Sequence, residues 1–391
     1  MEVRRKCVHC LQTHTIQTHI PHPSALHVTA VNERGERMSS GGITFRTIHF
    51  AGKEIECGGI GGIGTEPEYR RGGLVREVIA EMADECDRRA VPLTILHPFS
   101  FAYYRAFGFE RVADHRVLEF PITAMSFVPR YPDLIRCTGD THNAELAEVY
   151  NTFAQDGRHL LFKRSPNHFP TADGAKKVYL SRDGEGRPDG YIILEIENYF
   201  SVNRMVSVNL HIHELIALTD EAMTKLFGFI RMFEGEMETV KMENIAMIPE
   251  VELRLRNYMH TSITILPDIM ARINDVKLFF ESVPYPAEAG SFTVKTTEPS
   301  RSPWSGDKTN GIWRVDYKDG TATVEQLPDD TADYDFAADI PALTQLVFGY
   351  DAYGFAYARH TENTEWRTPA PDFFRAFPCR VTRFADSTWS E

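Results

Sequence analysis

Cysteine is scarce in this chain. Six residues in 391, scattered along the length, give no disulfide framework of the kind that staples small secreted domains. Long apolar runs are missing as well. No stretch of about 18 apolar residues occurs, which argues against a membrane-spanning helix. The opening, MEVRRKCVHC, lacks the apolar centre of a signal peptide. Positive charge is in deficit: 42 Lys and Arg stand against 55 Asp and Glu, a formal net charge of −13. A nucleic-acid partner needs the opposite balance. These absences imply a cytoplasmic chain with reduced thiols and no nucleic-acid partner, and its acidity is compatible with a cationic small molecule or peptide. The length is enough for two or three domains.

The most informative stretch runs from Ile63 to Arg76, IGTEPEYRRGGLVR. It reads as a strand, a glycine and arginine turn, and the start of an amphipathic helix. The first turn of a helix leaves its amides unpaired and carries partial positive charge, so such a turn is suited to a pyrophosphate. Gly72 and Gly73 allow close approach of phosphate oxygens to the backbone, and Arg70 and Arg71 supply charge. Leu74, Val75, Val78, Ile79, Met82, Ala83 and Cys86 form one apolar stripe, leaving Arg76, Glu77, Glu81, Asp84 and Glu85 for the wet face. Leu93 to Leu96 reads as the next strand, and FAYYRAFGFE, Phe101 to Glu110, as a short helix ending at Gly108.

Together these segments resemble the GNAT acetyltransferases, whose coenzyme A motif Arg/Gln-x-x-Gly-x-Gly/Ala falls here on Arg70, Gly73 and Val75. Val75 departs from Gly/Ala in the manner of one branch, the enhanced-intracellular-survival (Eis) type, and the chain is similar to a divergent member of that branch. MARINDVKLFF (Met270 to Phe280) looks like the segment closing the branch's second domain, and DIPALTQLVFGY (Asp339 to Tyr350) like the helix of its third. The resemblance implies two GNAT-like mixed-sheet domains followed by a small sterol-carrier-like α+β domain, at 1–127, 128–284 and 285–391. It is weakest before residue 40, where the chain looks shorter than its relatives and where helices that shape the acceptor pocket are expected.

Local patterns agree with an α/β and α+β division. Val206, Val208, Leu210 and Ile212 alternate with Ser207, Asn209, His211 and His213 as in a half-buried strand. Thr219 reads as an N-cap before a helix that turns Met223, Leu226, Phe227, Ile230 and Phe233 inward. VPYPAEAGS (Val283 to Ser291) marks a boundary. Lys318-Asp319-Gly320 reads as a hairpin turn between Ile312–Val315 and Thr321–Val324, and a further helix starts near Asp339.

Other motifs read more plainly as structure. Gly59 to Gly64 matches G-x-G-x-x-G, but no helix opens directly after it, so a dinucleotide site is disfavoured against a small-residue strand. Cys7 and Cys10 with His9, His14, His19 and His22 lack a second ligand pair, and read as a flexible His-rich N-terminus rather than a zinc site. His211 and His213 read as the polar face of a strand, and Cys86 as a small core residue. No metal is expected.

By the resemblance, Ile63, Gly64, Thr65, Arg70, Arg71, Gly72, Gly73, Leu74 and Val75 hold acetyl-CoA. Tyr104, three residues before Phe107-Gly108-Phe109, is the catalytic tyrosine that protonates the departing thiolate, rather than a packing residue. The terminal carboxylate of Glu391 is the candidate base. The family commonly ends on an aromatic residue, a slot Trp389 fills here, so Glu391 stays open between a catalytic and a frayed, solvated end. The implied activity is acetyl transfer to an amine such as an aminoglycoside, a polyamine or a lysine peptide, in a homo-oligomer, hexameric by resemblance. The alternatives are a non-catalytic CoA- and ligand-binding protein and, more weakly, a nicotinamide oxidoreductase.

Overall fold

The computed structural model describes residues 2–6, 13–156, 159–169, 175–200, 206–243, 247–255, 259–328, 333–350, 364–368 and 370–378. Cys7, Cys10 and Glu391 lie outside them. The described residues form two compact units: one from those up to Ala113 together with those from Asp268 to Pro378, the other from Asp114–Pro267. The fold class is α/β and α+β, with two GNAT-like sheets and a third, smaller sheet.

The first unit begins with strands β1 (Glu2–Lys6), β2 (Thr13–His22), β3 (Ala25–Asn32), β4 (Arg37–Phe50) and β5 (Lys53–Thr65). Helix α1 (Leu74–Arg89) leads to β6 (Leu93–Leu96), and α2 (Phe101–Arg105) to β7 (Glu110–Arg111). Apolar alternation builds these strands: on β3, Leu26, Val28 and Ala30 are buried while His27 is exposed. His14, His19 and His22, read from the sequence as part of a flexible His-rich N-terminus, lie on β2 of the antiparallel hairpin β2–β3, with His19 opposite His27. Among the described residues before α1 the only helical segment is the one-turn 3-10 helix Pro67–Tyr69.

The second unit holds β8 (Asp114–Pro121), β9 (Ile135–Cys137), α3 (Asn143–Gln155), β10 (His159–Phe162), β11 (Lys177–Arg182), β12 (Pro188–Phe200), β13 (Val206–Ala217), α4 (Asp220–Ile230), β14 (Thr239–Glu243), α5 (Ile248–Arg254) and β15 (Ser262–Pro267). Its sheet runs β15-β8-β14-β13-β12-β11-β9. The Thr219 hydroxyl accepts the Ala222 N–H at 3.0 Å, capping α4 as its sequence implies. The polar face of β13 is paired: His211 bonds Glu197 at 2.9 Å and His213 bonds Glu195 at 3.0 Å. Among the described residues no group of three or more His, Cys, Asp or Glu is placed to hold a metal ion, and no helix is long and apolar enough to cross a membrane.

The chain then returns to the first unit with β16 (Met270–Ile273) and α6 (Val276–Ser282), followed by β17 (Gly290–Thr297), β18 (Gly311–Lys318), β19 (Thr321–Leu327), β20 (Phe336–Asp339), α7 (Ile340–Val347), β21 (Thr364–Trp366) and α8 (Pro371–Ala376). The hairpin at Asp319-Gly320 has both residues at positive φ, 52° and 82°, as a tight two-residue turn requires. Asp339 caps α7 by accepting the Ala342 N–H at 2.8 Å. The late strands form a separate sheet, β19-β18-β17-β20-β21.

Strand pairing runs across the positions 127 and 284 expected to bound the second domain. β8, expected inside a first domain ending at 127, lies between β14 and β15 of the second sheet. β16, expected inside a second domain ending at 284, lies between β6 and β7 of the first, with Met270 opposite Leu96 and Ile273 opposite Leu93. The physical reason is burial on both faces. Every residue of MARI is buried, so the strand needs an interior slot, and the first sheet offers one between β6 and the two-residue β7.

Close packing at β5 gives a test of this sheet. A Cβ on Gly58 would stand 2.6 Å from Ile43 Cδ1 and 3.0 Å from Thr94 Cγ2. Gly58→Ala is expected to lower stability by about 1–3 kcal/mol, and Ile43→Val, which removes the nearest methyl, to recover part of it. Urea denaturation of both variants measures this.

Candidate active site

Two neighbouring strands part here. β5 and β6 are parallel and paired from Cys57–Leu93 to Ile60–Leu96. β6 stops there because His97 and Pro98 follow: proline has no N–H for a ladder, and His97 Nδ1 bonds Asp268 Oδ1 at 2.8 Å. β5 continues to Thr65, held only from the β4 side by the pairs Ser40–Gly64 and Ser39–Thr65. Between these pairs and Gly42–Gly61 the register shifts by one residue, a bulge centred on Gly62 at φ +63°. Gly41 makes room for it, since a Cβ there would lie 2.3 Å from Ile63 Cδ1. Beyond Ile60, one edge of β5 therefore faces no strand among the described residues.

The turn after β5 carries the remaining candidates. Arg70 Nε donates to the Thr65 carbonyl at 3.3 Å, folding the turn back on the strand end. Arg71 has φ +65° and Gly73 φ +84°. Alternating left-handed residues direct successive N–H groups to one side, the geometry of an anion nest. Gly73 is the N-cap of α1, and no side chain caps that end. A Cβ on Gly62, Gly64 or Gly73 would meet nothing within 4 Å, so the space beside the turn is open. Leu74 is buried and pins the first turn in the core, while its amide and that of Val75 have no intrahelical acceptor.

Tyr104 sits on α2, whose N-cap Ser100 accepts the Tyr103 N–H at 3.4 Å. Its carbonyl accepts both the Phe107 N–H at 2.9 Å and the Phe109 N–H at 3.2 Å, closing the turn through Gly108 at φ +89°. The ring is 3% exposed and belongs to the same buried cluster as Ile60, Leu74 and Val78, so strand end, helix start and phenol share one core. Edge contacts with Phe99, Tyr103 and Phe109 surround it. Burial, with a smaller contribution from Tyr103, pushes the phenol up to about 12.

The structure thus brings together all the sequence candidates from Ile63 to Val75, along with Tyr104. Cys86 is buried, and burial raises its thiol well above the ordinary range. The G-x-G-x-x-G segment lies within β5, not in a strand-to-helix turn, which removes the dinucleotide reading. Two charges assigned to the wet face of α1 are buried instead. Glu85 lies between Arg88 and Arg89, and Glu81 is 9% exposed. Glu77 accepts from the buried His14 at 2.8 Å. Sequence reasoning also missed Arg272, which is wholly buried and bonds the carbonyl of Phe107 at 2.7 Å. An arginine inside the apolar strand MARI was the available signal.

Residues 15–112 match a family profile described as an acetyltransferase (GNAT) domain, and residues 159–273 match a second profile of the same description. No curated protein matches the sequence. Among solved structures, a GCN5-related N-acetyltransferase from Anabaena variabilis has a TM-score of 0.77 at 18% identity, covering 92% of this chain and 89% of that one. A conserved protein from Enterococcus faecalis, described as a probable N-acyltransferase, has a TM-score of 0.74 at 23% identity over 93% and 88%. Eis1 from Mycobacterium abscessus gives 0.71 at 14% over 92% and 90%. At these identities the likeness is one of fold.

The raised phenol has a measurable consequence. Unfolded tyrosine ionises near 10, so Tyr104 favours the folded state fully below pH 10, and that contribution is lost as pH rises toward about 12. Absorbance titration at 295 nm should show one phenol fewer ionising near 12 in Tyr104→Phe than in the parent chain. Loss of a phenol ionising near 10 instead would mean that the ring is solvated.

Proposed function

From the premise that this chain carries two GNAT acetyltransferase domains, we propose that it is an acyltransferase that moves an acetyl group from acetyl-CoA to a primary amine. The observation that carries this reading is the parting of β5 from β6 beside an uncapped helix start, with Tyr104 in the same core. The free edge of β5 at Ile63, Gly64 and Thr65 matches an extended amide chain such as pantetheine, which binds as an added strand. The turn Arg70, Arg71, Gly72 and Gly73, with the amides of Leu74 and Val75, suits a pyrophosphate.

The thioester supplies an already activated acyl group, so the chain's task is to position it and to manage charge. A backbone N–H near the Gly62 bulge polarises the carbonyl. As the amine nitrogen bonds to the acyl carbon and the C–S bond breaks, Tyr104 donates to the sulfur. A phenol held near 12 stays protonated at every working pH, yet it is a weaker acid than free tyrosine. Its first role is therefore as a hydrogen-bond donor to the developing thiolate, with proton transfer following. The amine's proton passes to a base, for which the Glu391 carboxylate is the candidate in this reading. The acceptor class (aminoglycoside, polyamine or lysine peptide), the sterol-carrier-like character of residues 285–391 and hexameric assembly are proposals carried by resemblance. The binding-protein alternative draws on one observation: the hairpin β2–β3 stands where acceptor-shaping helices were expected.

Free-thiol release from acetyl-CoA, measured against a panel of kanamycin, spermine and a lysine peptide, tests the activity. Acceptor-stimulated release is expected, falling about tenfold to a hundredfold in Tyr104→Phe, with the dissociation constant of acetyl-CoA by calorimetry nearly unchanged. Binding without stimulated release by any amine would favour the binding protein, and absence of binding would sink the proposal. Gly73→Val, which forces a β-branched residue to positive φ, is expected to weaken acetyl-CoA binding at least about tenfold, with little effect on the acceptor KM.

A further inference from the structure

Arg272 is among the largest wholly buried side chains of the described residues. A charge in that position is tolerated only when it is paired and hydrogen-bonded; both Nη atoms are, while the buried Nε has no partner among the described residues. Its guanidinium grips Glu298 in a two-pronged contact, Nη1 to Oε1 at 2.7 Å and Nη2 to Oε2 at 3.1 Å. Nη1 also donates to the Phe107 carbonyl at 2.7 Å and reaches Ser302 Oγ at 3.3 Å, and the plane lies 4.1 Å from the Trp304 ring centre. The turn is shaped around it: a Cβ on Gly108 would stand 2.1 Å from Nη1.

What Arg272 grips is the turn that fixes Tyr104. Phe107 and Phe109 both donate to the Tyr104 carbonyl, so the chain runs from the phenol-bearing residue to the arginine's acceptor within a single closed turn. Trp304 packs against Phe109 at 5.7 Å. The same segment also reaches the other half of the site. Arg76, in the first turns of α1, donates to the Arg301 carbonyl at 3.1 Å and the Ser302 carbonyl at 3.3 Å. Behind it, Lys308 pairs with Asp87 at the far end of α1 at 2.9 Å.

We propose that Arg272 and the segment Glu298–Trp304 form a positioning brace that sets Tyr104 against the start of α1. The inference rests on the reading of Tyr104 given above. The brace comes entirely from chain beyond the second unit, so residues 1–113 are incomplete as a catalytic domain without residues 268–304. Arg272 touches no reacting atom and acts through the phenol. Removing it leaves the Phe107 carbonyl and the Glu298 carboxylate buried without a donor, and a small displacement of a catalytic group costs up to about a hundredfold in rate.

A double-mutant cycle on thiol release tests this, using acetyl-CoA with whichever panel amine accelerates release most, or with water alone. Arg272→Met is expected to lower kcat about tenfold or more while the dissociation constant of acetyl-CoA changes less than about twofold. In a Tyr104→Phe background the same substitution should then change kcat by less than about twofold. Glu298→Gln keeps the shape and tests the same coupling if Arg272→Met fails to fold. Equal losses in both backgrounds, or acetyl-CoA binding lost in step with kcat, would overturn the brace. A Tyr104→Phe variant with unchanged kcat would instead remove the phenol's role, and with it this inference; that outcome is visible in the single variant alone.

Discussion

A sheet accepts a foreign strand only where two of its own strands stop pairing, and everything at this candidate site follows from where β5 and β6 separate. The pair Ile60–Leu96 is the last one. Past it, the backbone groups on one edge of β5 need partners from elsewhere, since peptide groups left unpaired and dry are costly. The bulge at Gly62, the small residues Gly41, Gly61 and Gly64, and Pro98 on the opposing chain all serve that parting. The helix start has the same character. α1 begins at a left-handed glycine with no side-chain cap, where most helices satisfy their first amides with Ser, Thr, Asp or Asn. The free strand edge and the uncapped helix end meet at one turn.

Much of this was legible because it is local. The stripe from Leu74 to Cys86, the N-caps at Thr219 and Asp339, the Asp-Gly hairpin and the Arg-Arg-Gly-Gly turn depend on residues within one or two turns of each other. Periodicity and turn chemistry report such elements directly. The two hairpin strands of the third region and its helix at Asp339 were legible for the same reason.

What the sequence hid is non-local. MARI could not reveal whether it closes the second sheet or enters the first, because a strand buried on both faces looks alike in either slot. The phases of Glu81 and Glu85 on α1 were misjudged because helix period alone does not show what packs against the polar side. Burial of Glu85 is bearable only through Arg88 and Arg89, and the partner of Glu77 is His14, 63 residues away. Arg272 belongs to this class too: its acceptors lie 165 residues before it and 26 after it.

The buried Arg272–Glu298 pair then calls for a reason beyond stability. Apolar replacement of such pairs is often neutral or stabilising, because desolvating two charges consumes most of what their attraction returns. What an ion pair offers over a methionine is direction: a rigid fork that holds one carboxylate and one carbonyl in fixed relation. Here the fork joins the turn after Tyr104 to a segment that also touches α1 at Arg76. A merely cohesive core at that point would keep the two halves together but would let the phenol slide against the helix start. Gly108 strengthens the argument. Its positive φ and the closeness of Nη1 exclude a side chain there, so backbone and arginine are fitted to each other, and the requirement they meet is placement.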